Sequence, residues 1–572
     1  MYVLCVVASS ILRALQLNAY QLGHLLTKMI PEVAHYLDDA LESKGHLDDT
    51  HAGWNYVKAL SHHKDYMNSP SDASADEATK AYLQFIEYAQ GHLANTASNY
   101  GLANMYIGLV LVTVSAAVLV LWNAVMAYKT LASGGWYMNQ GFLVIAVGTL
   151  AGSTFSSSFV EEEHMIWYYY APTALFLSAL QSFQAIGHTF DQKCKMGLFC
   201  ILQILLLRIG TGWSRGDGFV KYISSSMQWN ILAVSLAIPV LCGISIVRCI
   251  SKRQYVSVSQ GAGIIQILCQ VGYVLITSLT ATFVMVYKIR TEMPENLPSI
   301  YSSLLDMEVV QRLNDVELGR LVYNYGGASF LVLSGLMYVT RRASLLEMEQ
   351  QNVLGSEPFL RLLLHMGTPL LILLSKTQNA ALFTIFTLQF YLLIKWKRAL
   401  SPPTTVLCFT MTCLSHAAFF MTGHTNSIAS IDLSNAYIGV GDYNTLVIGV
   451  LTFCSNWSGS IWWAVASWTL VSDWWVYKLV ESTHFAVFLA VLSMAVTDMR
   501  EHLFIWSVFS PKYLFQVAWT VLFHWLVQVL IGSVVVKMWA APPSPTAHLD
   551  DIVMEAEASE ASEEDIDAIE EE

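Results

Sequence analysis

From Leu102 to Lys537 the chain is a succession of apolar runs, most of them near the length of one membrane crossing, separated by short polar turns. A helix needs about 20 mainly apolar residues to cross roughly 30 Å of hydrocarbon. In lipid, every backbone N–H and C=O must be satisfied within the protein. The runs therefore predict an all-α polytopic integral membrane protein. Spans are expected near 103–127, 141–159, 165–185, 196–209, 229–248, 260–287, 321–340, 358–374, 379–394, 404–422, 443–470, 476–498 and 513–536. That is about 13 transmembrane helices, within a range of 11–14, because the fourth and eighth runs are short or carry a charge.

Composition agrees with a lipid-facing body. Hydrophobic residues make up 55% of the 572 and charged residues 13%, with a mean hydropathy of +0.47. A soluble globule carries roughly 25% charged residues. The net charge of −13 is concentrated at one end: twelve acidic residues and no basic one follow Lys537. The low isoelectric point thus describes residues 541–572, read as an acidic disordered tail, and nothing points to a nucleic acid partner. The nine cysteines show no paired metal spacing and fall mostly in or beside apolar runs, so they read as small polarizable core residues.

Residues 1–100 are set apart by their ordinary polarity. The apolar start, residues 1–16, imitates a signal sequence without its basic leader. Leu17–Tyr36 and Ala73–Ala97 show helical spacing of apolar residues, which predicts a short N-terminal amphipathic-helical soluble segment. The intervening stretch, residues 51–77, reads as a loop from its Ser, Asp, Asn and Pro content, with His62, His63 and Asp65 as solvated loop residues.

Thirteen spans put the two chain ends on opposite sides. The tightest basic clusters, Ser251–Arg253, Arg341–Arg342 and Lys395–Arg398, then share one side with Lys193 and Lys195. The positive-inside rule makes that side cytoplasmic, residues 17–100 lumenal and the acidic tail cytoplasmic.

Polar groups at the membrane edge are costly, so each is a candidate for function. Four lumen-side places stand out. In Ser156–Tyr170, the acids Glu161, Glu162 and Glu163 and His164 sit in a tight turn followed by Trp167 and three tyrosines. This is either a polar turn with interfacial aromatics or a holder for a metal or a cationic headgroup. In Gly423–Tyr437, His424, Asn426, Asp432 and Asn435 lie in a Ser/Asn-rich loop, either ordinary or suited to a hydroxyl-rich ligand. Arg208–Phe219 carries arginines able to meet phosphate, although Arg208 also suits snorkelling. The fourth comprises Ser375–Phe383 and Asp498–Tyr513, where His502, Trp506, Pro511 and Lys512 look like an interfacial re-entry. The phosphate-loop, zinc-protease and serine-hydrolase signatures are missing, and the sequon Asn456-Trp457-Ser458 falls inside a span.

These places carry a resemblance. SSSFVEEEHMIWYYY, GHTNSIASIDLSNAYIGV, YNTLVIGVLTFCSNWSGSIWW and EHLFIWSVFSPKYL are similar to the membrane portion of the GPI ethanolamine phosphate transferases. TNSIASIDLSNAY most resembles the branch acting on the second mannose, and LQLNAYQLGHLL and the RLVYN of Arg320–Asn324 fit too. The resemblance covers roughly residues 12–540. It implies an endoplasmic reticulum membrane protein of GPI-anchor biosynthesis, moving phosphoethanolamine from phosphatidylethanolamine to a mannose hydroxyl. It also implies a small multi-span stabilising subunit as partner, and a lumenal domain holding divalent metal, with zinc expected, and a threonine nucleophile. That domain precedes the resembling region in the family, and no stretch here matches it. Residues 1–100 then read as remnant and linker after a missing catalytic domain, and residues 101–540 as the transmembrane domain. The chain is expected to be a fragment or one half of a split enzyme, inactive alone, with no catalytic or metal residue carried over. Glu161–His164 and His424–Asn435 are expected to face lipid headgroups, the carboxylates near ethanolamine's ammonium. A non-catalytic scaffold subunit and a lipid transporter or flippase are the alternatives.

Overall fold

The computed structural model describes residues 2–29, 52–97, 101–132, 138–184, 189–213, 223, 225–254, 260–292, 297–347, 357–402, 404–471, 473–500 and 505–539, and these form helices joined by turns, with no strand among them. The chain divides into two compact units, residues 1–108 with 497–503, and residues 109–496 with 504–572.

The first unit packs three helices, α1 (Tyr2–Met29), α2 (Ala52–Asn68) and α3 (Asp72–Ala97). Leu12, Ala19 and Leu26 recur every seven residues on α1 and are buried against Tyr56, Ala59 and Tyr66 of α2 and Ala78, Tyr82, Phe85 and Ala89 of α3. Such a heptad-like seam is what lets helices pack side by side. It corrects one expectation: the stretch expected as a loop, 51–77, is mostly helix. Local polarity misled there, because a single face of α2 supplies the buried residues. His63, on that helix, bonds Tyr82 Oη from Nδ1 at 2.9 Å.

The second unit is a bundle. It takes in α4 (Leu102–Ala132) from Leu109 on, then α5 (Met138–Ser153), the short α6 (Ser157–Glu161), α7 (Glu163–Gln184), α8 (Phe190–Thr211), α9 (Ser225–Gln254) and α10 (Gln260–Glu292). Short pieces α11 (Ser299–Leu305), α12 (Glu308–Arg312) and α13 (Asp315–Val322) lead to α14 (Ala328–Glu347). Then come α15 (Glu357–Leu373), α16 (Ala380–Leu400), α17 (Thr404–Met421), α18 (Thr445–Asn456), α19 (Ser458–Leu470), α20 (Trp474–Asp498), α21 (Ser510–Ala518) and α22 (Gly532–Trp539). Among the described residues, eight helices are long and apolar enough to cross a membrane, and Val144–Ser153 and Thr445–Asn456 are shorter apolar helices. The span expected at 141–159 ends at Ser153, and the one at 443–470 is two helices broken at Trp457.

Burial separates centre from rim. The window in Thr404–Met421 is 89% buried and that in Leu102–Met126 only 6%. Lipid is as apolar as leucine, so the centre is held by close approach and hydrogen bonds between helices. Gly459 supplies the close approach: a Cβ there would lie 3.1 Å from the Ala418 carbonyl oxygen. Ser460 Oγ donates to the Ser415 carbonyl at 2.9 Å, and Trp462 Nε1 to Thr368 Oγ1 at 3.1 Å. The NWSGSIWW run is thus the seam between α19 and its neighbours.

Candidate functional site: one polar end of the bundle

After α5 the chain turns at once. The Ser153 and Thr154 hydroxyls donate back to the Leu150 and Ala151 carbonyls (2.7 and 2.6 Å), satisfying acceptors that the ending helix leaves open. Helix α6 follows, and Glu163 opens α7, where a carboxylate meets the positive end of the helix dipole. The three acids are not equivalent. Glu161 and Glu162 are exposed, Glu162 lying 3.5 Å from His164 Nε2. Glu163 is buried, and its oxygens accept from Trp167 Nε1 at 3.0 Å and Asn426 Nδ2 at 2.7 Å and pair with the Lys512 ammonium, itself buried. Of the three carboxylates expected near an ammonium, Glu163 is paired in this structure with the protein's own Lys512.

The loop between α17 and α18 is held on every side. It starts at Gly423, whose φ of 99° only glycine adopts at little cost. Asn379 Nδ2 donates to the Thr422 carbonyl at 2.8 Å, and Asn426 Nδ2 donates also to the Val160 carbonyl at 2.8 Å. Asn456, at the end of α18, makes a two-way clamp with the backbone of Asp432: Asp432 N donates to Asn456 Oδ1 at 2.9 Å, and Asn456 Nδ2 to the Asp432 carbonyl at 3.0 Å. The break at Trp457 leaves Asn456 at a helix end, close enough to make this clamp. The Asp432 side chain accepts from Ser434 N and Oγ (2.9 and 2.6 Å) and lies 3.7 Å from Lys376 Nζ. Burial pushes the Asp432 carboxyl up, but the two Ser434 bonds and Lys376 outweigh it and the net shift is downward. Lys288, buried at the end of α10, donates to the Ser375 carbonyl at 2.6 Å and to Asn435 Oδ1 at 3.4 Å.

Two glycines bring the far side of the loop into backbone contact with α13. A Cβ on Gly319 would stand 2.7 Å from Gly439 N, and Gly439 itself has φ +73°. Arg320 Nε donates to the Gly439 carbonyl at 2.9 Å.

The structure therefore gathers at one end of the bundle three of the four places marked in the sequence, and Arg208–Phe219 touches them. Asn426 joins Glu163; Asp432 joins Asn435 (3.4 Å) and Lys376; Lys512 joins Glu163. His424 packs on Phe419 and His164 on Phe420, with ring centroids 5.1 and 6.1 Å apart. From Arg208–Phe219, Trp213 Nε1 donates to the Gln378 carbonyl at 2.6 Å, while Arg208 lies 5.8 Å from the centroid of the Tyr169 ring. Residues 214–222, His502 and the Trp506 side chain lie outside the described residues. Sequence reasoning did not single out Lys288, Asn456 as a clamp, or Lys512 as the partner of Glu163. The only local signal was a polar residue inside an apolar run. Among the described residues no three His, Cys, Asp or Glu side chains stand where they could hold a metal ion, so the divalent metal that the resemblance implies has no fitting donor set there.

Burial holds the His424 imidazole down, at about 4, against the help of its bond to the Ser430 carbonyl at 3.3 Å. The folded state then binds fewer protons than the unfolded state between pH 6.5 and 4. The loop is expected to be fully stable above pH 6.5 and to lose up to about 3 kcal/mol as pH falls to 4. Hydrogen exchange of amides 424–437 should accelerate over that window, and His424→Gln should flatten the response.

The chain matches the family described as GPI ethanolamine phosphate transferase membrane region over residues 97–541. It is similar to proteins named GPI ethanolamine phosphate transferase 2. The Yarrowia lipolytica relative is 29% identical over 513 residues, 81% of this chain and 56% of the relative. The Aspergillus oryzae relative is 26% identical over 468 residues, 81% and 49%. The Aspergillus fumigatus relative is 42% identical over 163 residues, 27% and 20%. The chain spans about half the length of the first two. No solved structure matches it.

Proposed function

The chain belongs to the GPI ethanolamine phosphate transferase family, in its membrane region, and from that premise we propose that it is the lipid-presenting part of an enzyme that moves phosphoethanolamine from phosphatidylethanolamine to the second mannose of the GPI precursor. The reading places it in the endoplasmic reticulum membrane with about thirteen crossings and the polar end toward the lumen. A small multi-span subunit would stabilise it, and the metal-dependent chemistry would belong to another part of the enzyme.

The observation that carries the reading is the convergence of the family-like stretches. SSSFVEEEH, GHTNSIASIDLSNAYIGV, CSNWSGS and FSPKYL are far apart in the chain, yet Glu163, Asn426, Asp432, Asn456 and Lys512 link them at one end of the bundle. Donor and acceptor are both lipids, so the transfer needs a surface that holds two headgroups at the bilayer edge. This end offers exposed carboxylates at Glu161 and Glu162 and an exposed ammonium at Lys376.

A chimera tests it. Residues 97–541 replace the matching region of the Yarrowia lipolytica relative in cells lacking that protein, and the GPI precursor is analysed by mass spectrometry. Phosphoethanolamine on the second mannose is expected; an unmodified second mannose, with the chimera inserted at normal abundance, contradicts the reading.

A further inference from the structure

Behind the Glu163–Lys512 pair the bundle buries more polar groups than its own hydrogen bonds satisfy. Lys512 and Gln516 stand one turn apart on α21, and Lys512 pairs with Glu163, one turn before Trp167 on α7. His416 of α17 is stacked between Trp167 and Trp519, with ring centroids 4.0 and 4.2 Å away, and His484 of α20 lies 5.6 Å from it. Four buried atoms here have no hydrogen-bond partner: His416 Nε2, His484 Nε2, and both Nε2 and Oε1 of Gln516. His416 and Gln516 are 2% and 1% exposed. Each such atom costs about 1–3 kcal/mol where nothing meets it, so four on the helices that meet around this pair point to a polar occupant. Helix α21 is also flanked on both sides by wider π-helical turns, Ile505–Phe509 and Trp519–Ile531, a geometry that recurs at functional sites.

The cluster has a definite chemistry. It contains one anion and one cation, so an occupant of net zero charge enters without adding net charge to a low-dielectric site. Lys512, the Gln516 amide and an imidazole N–H suit a phosphate. The Glu163 carboxylate and the Phe488 ring suit a primary ammonium, and Lys512 Nζ already lies 5.0 Å from the Phe488 ring centroid. On the final helical stretch, Leu514, Val521 and Trp525 are exposed, so acyl chains attached to such a group would meet an apolar surface close by.

We propose that the Glu163–Lys512 pair with His416, His484 and Gln516 is a receptor for the phosphoethanolamine headgroup of a donor lipid, the ion pair opening so that Lys512 takes the phosphate and Glu163 the ammonium. The proposal rests on the functional reading above and adds to it a site within the bundle. A quaternary ammonium has no N–H to give Glu163, so the site prefers ethanolamine to choline.

The test uses the whole chain in phosphatidylcholine nanodiscs with a small fraction of phosphatidylethanolamine carrying a diazirine high on one acyl chain. After illumination, crosslinked peptides are mapped by mass spectrometry. Crosslinks are expected on residues 157–170 and 505–531, displaced by unlabelled phosphatidylethanolamine and not by phosphatidylcholine. The neutral pair Glu163→Gln/Lys512→Met should lower them about tenfold while its melting temperature stays close to that of the parent chain. Gln516→Leu, which leaves the ion pair intact, should lower them severalfold and serves if the double variant fails to fold. Crosslinks mapping elsewhere, or undiminished in a folded variant, overturn the proposal. Displacement only by a mannose phosphoethanolamine ester overturns the assignment to the donor lipid. An active chimera with crosslinks elsewhere sinks this site alone; an inactive chimera with crosslinks here sinks the functional reading alone.

Discussion

Lys512→Ala is expected to cost about 3–5 kcal/mol, the range for a buried ion pair stripped of one partner. The Lys512 ammonium is the counter-charge of Glu163, and both side chains are almost wholly out of contact with solvent. Without it the carboxylate keeps two neutral donors, Trp167 and Asn426, and remains a buried charge. The damage should reach beyond the pair, because Asn426 is the tie between the α17–α18 loop and α7. Glu163→Gln alone should be nearly as harmful, leaving the ammonium unpaired. The double variant Glu163→Gln/Lys512→Met should recover most of the loss, since replacing both partners by neutral groups of similar shape removes the uncompensated charge. Melting temperatures of the purified chain in one detergent, compared as a double-mutant cycle, check this. Single-variant losses that simply add up in the double variant would mean that the pair is not coupled.

Gly319→Val is the second large effect. The neighbour that its side chain meets is the main chain of Gly439, not the flexible tip of a side chain. The α13 helix or the loop must give way, at a cost of about 3 kcal/mol, the upper end of ordinary overpacking. Arg320 would lose its geometry with the Gly439 carbonyl in the same movement. Gly327→Ala is the control, because nothing lies within 4 Å of a Cβ there. A lower melting temperature and faster hydrogen exchange over 432–441 in Gly319→Val, with neither change in Gly327→Ala, is the expected pattern.

These contacts show which parts of the molecule can be read from a sequence. A membrane crossing is a local property of about 20 residues, so the bundle, and the polar character of the turns at 156–163 and 423–437, were legible directly. The division of roles among three adjacent glutamates was not. Glu163 differs from Glu161 and Glu162 only because it opens a helix and meets a lysine 349 residues away. Asn456 shows the same limit. Inside an apolar run it reads as a sequon that no glycosyltransferase could reach, whereas its work is to clamp Asp432 from a helix end created by the break at Trp457. The stretch at 51–77 failed for the opposite reason. Its polar residues outnumber the few that α2 buries, and only the partner helices show why Tyr56, Ala59 and Tyr66 matter.

If this polar end handles lipid headgroups, Glu161 and Glu162 are its exposed carboxylates. The decisive quantity is the rate of phosphoethanolamine transfer to the second mannose by the chimera carrying Glu161→Gln/Glu162→Gln. Both side chains are exposed, so abundance and melting temperature should not change. Transfer should fall about tenfold, the worth of one charge-assisted hydrogen bond. Unchanged transfer at normal protein levels would contradict the reading that this exposed acidic surface meets the headgroups.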